Sequence, residues 1–335
     1  YDYFFIMDFE KLVLVFEKLE QTASGNTMRE ILADFLKTVP SENIAMVCYL
    51  CLGQIASEYG GEVLGMADKS VLKSIAAAGG TDISKVQKIM NEVGDAGLTA
   101  QKVLQHKPRT LVPVGKLTVH ELFEKLHTIT ATTGTGSQDQ KSNIVVALLQ
   151  KATPTGAKYV IRLILGTLRL GAGDMTLLDA LAIAYTGDKS NKEILEKAYN
   201  ICPDVGVIAE TLVRKGLKGI ENIDIHVGRP IKMMLCQRVD DIDEIAEKMP
   251  GEFAVEAKYD GERVQVHKDI KGKITLFSRR LENITAQFPD LVQELDKHVN
   301  GKEYVIEGEI IAIDAQGNHL PFQTLMQRRR KYDVE

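Results

Sequence analysis

The stretch EAKYDGER, residues 256–263, places several charged side chains around one lysine, Lys258. Alternation along EFAVEAKY puts Glu256 and Lys258 on the same face of a predicted strand. A lysine with the usual pKa of ~10.4 is almost entirely protonated at neutral pH and cannot attack an electrophile. Beside Arg263 and a bound metal, and partly removed from water, a neutral fraction forms. The pattern therefore predicts a nucleophilic amine at Lys258.

The pair Asp260-Gly261 predicts a two-residue hairpin turn, because glycine accepts the positive φ that such turns demand. The return strand would then bring the guanidinium of Arg263 back toward Lys258. The carboxylate of Glu256 opposes loss of the lysine proton and is better suited to accept a hydrogen bond from the amino group of a ligand. The alternative is a ladder of opposite charges across an exposed sheet face, with no chemistry.

The hydrophobic period changes from helical to strand-like near residue 226. Up to that point capped amphipathic helices predict an all-α region. Beyond it, VDDIDEIAEKMPG predicts a short helix, and alternating runs predict an antiparallel sheet. The predicted strands are EFAVEAKY, RVQVHK, KITLFS and EYVIEGEIIAID. The fold class expected is a helical domain followed by part of an α+β, mainly antiparallel domain.

Four predicted helix starts carry a polar cap, at Thr27, Thr118, Ser137 and Thr153. The glycine-rich loop before the third start brings bare backbone to a helix N-terminus, where free amides and the helix dipole can hold a phosphate. The residues concerned are Gly134, Gly136 and Ser137, with nearby bases Lys141, Lys158, Arg162 and Arg169. Together they predict a surface for a duplex backbone, and the alternative is helices that only build a bundle.

The composition excludes several classes of protein. The 335 residues carry a formal net charge of -5, so no global positive field draws the chain to nucleic acid or membrane. The four scattered cysteines predict a reducing, cytoplasmic location, and Cys48-x-x-Cys51 fits a buried helix better than a zinc or redox motif. No apolar run is long enough to cross a bilayer, and no P-loop motif is present.

The residues around Lys258 resemble a known family. VEAKYDGERVQVHK is similar to motif I, KxDGxR, of the covalent nucleotidyltransferases in the form found in archaeal and eukaryotic ATP-dependent DNA ligases. Three further segments resemble ligase motifs in the same order: SRRLENIT (278–285, motif Ia), VIEGEIIA (305–312, motif III), and LPFQTL with QRRRK (320–325 and 327–331), which follow motif III. GTGS and YVIRLILGTLRLGAG are similar to the helical DNA-binding domain of archaeal ligases, and GRPIKMML resembles the junction between the domains.

The resemblance implies a role for each matching residue. Lys258 would become adenylylated, and Glu256 would accept a hydrogen bond from the adenine amino group. Arg263 and Arg279 would contact ribose or phosphate oxygens, and Glu309 would bind ribose hydroxyls or help to place a metal. Tyr259 and His267 are interpreted as packing or surface residues.

The reaction implied is the sealing of nicks in double-stranded DNA. ATP with Mg²⁺ would adenylylate the lysine, AMP would pass to the 5′-phosphate of the nick, and the 3′-hydroxyl would displace it. ADP or NAD⁺ as donor, an RNA ligase or capping-type activity, and a noncatalytic DNA-binding fragment stay open as alternatives. A monomer is expected, with a sliding clamp as a candidate partner and no membrane.

The resemblance also implies a domain division. Residues 1–226 would form the helical DNA-binding domain, with Tyr1 to Ile6 interpreted as upstream sequence. Residues 227–335 would form the N-terminal part of an adenylation domain, and the family's OB-fold domain lies beyond the last residue. We therefore expect a C-terminally truncated ligase in which full ligation is impaired.

Overall fold

The computed structural model describes residues 7–62, 64–106, 115–234 and 236–328. These residues form two compact units, a helical unit within 1–199 and 204–223 and a sheet unit within 200–203 and 224–335. The sequence expectations for Tyr1 to Ile6 and for residues 329–331 of the basic segment lie outside the described residues. No helix of the described chain is both long and apolar enough to span a membrane.

The helical unit packs amphipathic helices around one large apolar core. Its described helices are α1 Phe9–Glu20, α2 Gly25–Leu36, α3 Ile44–Cys51, α4 Asp68–Gly79, α5 Ile83–Val93, α6 Ala96–Leu104, α7 Val119–Ala131, α8 Ser137–Lys151, α9 Pro154–Ile164, α10 Asp174–Thr186, α11 Lys192–Ile201 and α12 Val205–Glu221. The pairs α6 and α9, α2 and α10, α4 and α8, and α3 and α12 lie side by side, and Phe16 meets Tyr159 edge to face within the core.

Two of the four predicted helix caps are confirmed. The Thr118 side chain accepts from the Glu121 amide and the Thr153 side chain from the Gly156 amide. The prediction at Thr27 is wrong, because Ser24 already caps α2 and Thr27 lies inside the helix. The prediction at Ser137 is also wrong, since Gly136 takes the cap position with a φ of 79° and Ser137 is the first helical residue.

The described elements of the sheet unit are α13 Ile242–Lys248, β1 Glu262–Lys268, β2 Ile274–Ser278, α14 Pro289–His298, β3 Tyr304–Ile310 and α15 Phe322–Arg328. The three strands form an antiparallel sheet in the order β2-β1-β3. One face of the sheet packs against α14 around a small core that includes Val264, Val266, Leu276 and Phe288.

Three of the four predicted strands are confirmed, as is the short helix α13. The fourth prediction is wrong. Residues 252–260 have no regular secondary structure, and their side chains are exposed, Val255 to 85%. The predicted Asp260-Gly261 hairpin is wrong as well, because β1 begins directly after Gly261, whose φ is not positive. Alternation predicts which side chains would share a face if the segment were a strand, but a strand also requires a hydrogen-bonded neighbour.

Candidate active site

One end of the sheet collects most of the residues that the motifs single out. The antiparallel register pairs Arg263, near the start of β1, with Glu309, near the end of β3. It also pairs Val264 with Ser278, the last residue of β2, so that Arg279 follows at the same end. The start of β1 and the ends of its two neighbours therefore converge.

The polar face of the sheet carries a second carboxylate that the sequence analysis did not assign. Because side chains alternate, Glu307 and Glu309 on β3 point to the same face as Arg263 and Gln265 on β1. The Arg263 Nη2 atom donates to Oε2 of Glu307, and both side chains are 40% exposed. The spacing of two residues within VIEGEI was the signal that could have identified Glu307 as a neighbour of Glu309.

Lys258 lies in the exposed segment that enters β1, together with Glu256. Gly261 ties this segment to the sheet, because an added Cβ would lie 2.8 Å from Cγ of Glu309 and would overlap the Ile310 carbonyl oxygen. Tyr259 meets the His319 ring edge to face, with ring centroids 6.1 Å apart. The backbone that follows the lysine is thus held by packing contacts, while the side chains of Lys258 and Glu256 are open to solvent.

Arg279 is exposed in a tight loop at the end of β2. The Leu281 amide donates to the Ser278 carbonyl, and the Ser278 amide donates to the Glu282 carbonyl. Leu281 is buried and has a positive φ of 62°, which is rare for a branched side chain. Its buried side chain anchors the loop, and Arg279 is presented to solvent.

Two buried residues on the polar face of the sheet, His267 and Gln265, bind the backbone of residues 228–231. His267 Nδ1 accepts from the Gly228 amide at 3.0 Å, and Gln265 bonds both the amide and the carbonyl of Ile231. His267 is fully buried, and burial lowers its pKa to about 4. The interpretation of His267 as a packing residue agrees with this structural role.

The helical unit presents the loop before α8 as predicted. Gly134 and Gly136 have φ values of 89° and 79°, which only glycine adopts readily, and the loop leads directly to the first turn at Ser137. Asp139 lies in that first turn and adds a negative charge. In the connection between α9 and α10, Arg169 is exposed with a φ of 49°, between the buried Leu168 and Leu170.

The prediction that nearby bases support this loop is wrong for three of the four bases, which are buried. Lys158 and Arg162 are buried on α9 and pair with Glu20 of α1, and Arg162 also contacts Asp95. Lys141 is buried as well, with 7% of its surface exposed. Burial pushes the pKa of Glu20 up, but hydrogen bonds from Lys158 and Tyr159 outweigh it and lower the pKa overall. Lys158 and Arg162 therefore neutralise carboxylates inside the unit, and none of the three bases is exposed on its surface.

The cysteine pair is buried, as predicted. Cys48 and Cys51 are buried in α3, and burial raises the pKa of the Cys51 thiol to about 12. A thiol in that state is a poor nucleophile and a poor metal ligand. Within the described ranges, no three His, Cys, Asp or Glu side chains form a group that could hold a metal ion.

Comparisons with known proteins match both units. The family model described as DNA ligase N terminus matches residues 8–182, and the model described as ATP dependent DNA ligase domain matches residues 233–335. The chain belongs to the DNA ligase family. The loop 134–137 and Arg169 fall within the first of these matches, and Lys258, Arg263 and Glu309 fall within the second.

Several curated DNA ligases are similar to the chain over almost its whole length. DNA ligase 2 of Thermofilum pendens is 44% identical, with 96% of this chain and 54% of the relative covered. The DNA ligase of Saccharolobus solfataricus is 41% identical, with coverage of 98% and 56%. A probable DNA ligase of Persephonella marina is 43% identical, with coverage of 97% and 56%. The chain therefore spans about half the length of the DNA ligases that it matches.

Proposed function

We propose that the chain takes AMP from ATP onto Lys258 and delivers it to the 5′-phosphate of a nick in duplex DNA. The observation that supports this most strongly is the convergence of Arg263, Arg279 and Glu309 at the end of the sheet where the Lys258 segment enters. This end lies inside the match to the ATP dependent DNA ligase domain.

In the proposed first step, the Lys258 amine gives up a proton to solvent and its nitrogen attacks the α-phosphorus of ATP. A nitrogen–phosphorus bond forms, the bond to the bridging oxygen breaks, and pyrophosphate leaves. Arg263 and Arg279 offset the negative charge on the phosphoryl oxygens and hold ribose or phosphate oxygens. Glu256 accepts a hydrogen bond from the adenine amino group, which selects adenine.

The residues at this end of the sheet also suit a divalent cation. Carboxylate oxygens are the ligands that Mg²⁺ prefers, and Glu309 has an exposed carboxylate at this end of β3. Bound Mg²⁺ would neutralise phosphate charge. We assign Glu309 to the ribose hydroxyls or to that cation.

The proposed substrate of the second step is nicked double-stranded DNA, held mainly through its phosphates. The amides at the start of α8, reached over Gly134 and Gly136, and the exposed Arg169 are the contacts we assign to the helical unit. We further propose a monomer that works in the cytoplasm. Binding of a sliding clamp stays a prediction.

Incubation with ATP labelled at the α-phosphate tests the first step. We expect label that stays on the denatured chain, no label from γ-labelled ATP, and transfer of the label to nicked DNA carrying a 5′-phosphate. Parallel reactions with labelled ADP and NAD⁺, and with nicked RNA, compare donors and acceptors. A chain that takes no label from any of the three donors would refute the proposal.

A further inference from the structure

The contact between Arg263 and Glu307 has no role in the proposed chemistry so far. Glu307 is not opposite Arg263 in the register, since the residue paired with it is Gln265. The guanidinium of Arg263 reaches diagonally across the polar face to Glu307, although the Glu309 carboxylate is directly opposite. Among the residues that the structure describes, Glu309 has no ion-pair partner.

The pair contributes little to the stability of the fold. Both side chains are 40% exposed, and ion pairs in water-accessible positions contribute little to stability. Its physical effect is on orientation. A free arginine side chain loses rotamer entropy when it binds an anion, and a guanidinium that is already oriented loses less of it.

We infer that Glu307 is a positioning residue, which orients Arg263 toward the nucleotide and keeps it from pairing with Glu309. This inference rests on the proposed function, because Arg263 and Glu309 are the groups assigned to the nucleotide. A division of labour between the two carboxylates follows. Glu307 neutralises and aims the arginine, and Glu309 stays free for the ligand.

The test measures the initial rate of adduct formation against ATP concentration for the whole chain. The variants are Glu307→Gln, Glu307→Ala, Arg263→Ala and the double alanine variant. Glu294→Gln is the matched control, because Glu294 forms an exposed ion pair with Lys297 on α14, on the opposite face of the sheet. Thermal unfolding of every variant reports whether the fold is retained.

We expect Glu307→Ala to raise the KM for ATP about five- to tenfold with a smaller change in kcat, and Glu307→Gln to lie between it and the unchanged chain. In the Arg263→Ala background, loss of Glu307 should cost less than about twofold, because the group that it orients is gone. The unfolding temperatures of Glu307→Ala and Glu294→Gln should match that of the unchanged chain.

Three results would overturn the inference while leaving the proposed function intact. The first is an unchanged KM for ATP in Glu307→Ala when Arg263→Ala is impaired. The second is an equal loss of adduct-forming efficiency from Glu307→Ala with and without Arg263. The third is a lower KM in Glu307→Ala, which would make Glu307 a competitor of ATP. Absence of label on the unchanged chain is a different result. It would refute the proposed function and the inference with it.

Discussion

Gly261 and Ile310 approach each other so closely that no side chain fits between them. An added Cβ at Gly261 would overlap the Ile310 carbonyl oxygen and lie 2.8 Å from Cγ of Glu309. The backbone entering β1 is thereby fixed against β3, only three residues after Lys258. This packing couples the position of the proposed nucleophile to the carboxylate assigned to the nucleotide.

We expect Gly261→Ala to separate the start of β1 from the end of β3. The backbone must move because the clash involves a carbonyl oxygen, and we expect a loss of about 1–3 kcal/mol in the free energy of unfolding. Gly308→Ala is the control, since an added Cβ there meets no atom within 4 Å. Urea unfolding compares the two variants, and equal stability would contradict the close packing described for Gly261.

The buried ion pairs of the helical unit should contribute strongly to its stability. Glu20→Gln leaves Lys158 without its carboxylate partner and Arg162 with only Asp95, and both cations are more than nine-tenths buried. We expect a loss of about 3 kcal/mol or more in the free energy of unfolding. The control Glu210→Gln removes an exposed pair with Arg214 and should cost less than about 1 kcal/mol.

These ion pairs also mark a limit of what the sequence reveals. The sequence shows that Lys158 and Arg162 follow a glycine-rich loop, which suggested a surface for phosphates. Their partner Glu20 is 138 residues from Lys158 along the chain, so the pairing depends on how α1 packs against α9. Local patterns predicted a helix at each of the four proposed starts, with two of the caps misplaced, but the direction in which α9 presents its charges is set by tertiary packing.

In the sheet unit, too, local patterns predicted some elements, while others depend on how the strands pair. Alternating β-branched residues in RVQVHK and KITLFS predicted β1 and β2, because such runs fit a half-buried pleated surface. The equally alternating EFAVEAKY is not a strand, since no neighbour pairs with it in the described structure. The order of the motifs predicted that Arg263 and Glu309 belong to one site. The contact between Arg263 and Glu307 could be identified only from the register of β3 against β1.

Arg169 allows a test of the proposed duplex contact. If its guanidinium neutralises a DNA phosphate, Arg169→Ala should weaken binding of duplex DNA irrespective of sequence. The slope of log affinity against log salt concentration should become shallower by about 1. Fluorescence anisotropy at several salt concentrations measures it, with Arg214→Ala as an exposed control that pairs with Glu210. An unchanged slope in Arg169→Ala would remove Arg169 from the contact.

His267 makes the sheet unit sensitive to acid. Burial lowers its folded pKa to about 4, while the unfolded chain keeps the usual value of 6.5. Between these values the unfolded state binds more protons, so stability is fully present above pH 6.5 and is lost as the pH falls toward 4. The loss amounts to at most about 3 kcal/mol.

Urea unfolding at pH 7.5 and 4.5 compares the unchanged chain with His267→Gln and with His298→Gln, whose histidine is exposed on α14. We expect the difference in stability between the two pH values to shrink only in His267→Gln. An equal difference in all three proteins would show that His267 is protonated as easily in the folded state as in the unfolded one.

The most direct measurement of the central claim is mass spectrometry of the chain after incubation with ATP and Mg²⁺. We predict that one peptide, the one containing Lys258, gains the mass of AMP, and that Lys258→Ala abolishes the adduct. Lys271→Ala, which changes an exposed lysine in the turn at the far end of β1, should leave it unaltered. AMP on any other residue, or an adduct that persists in Lys258→Ala, would contradict the account.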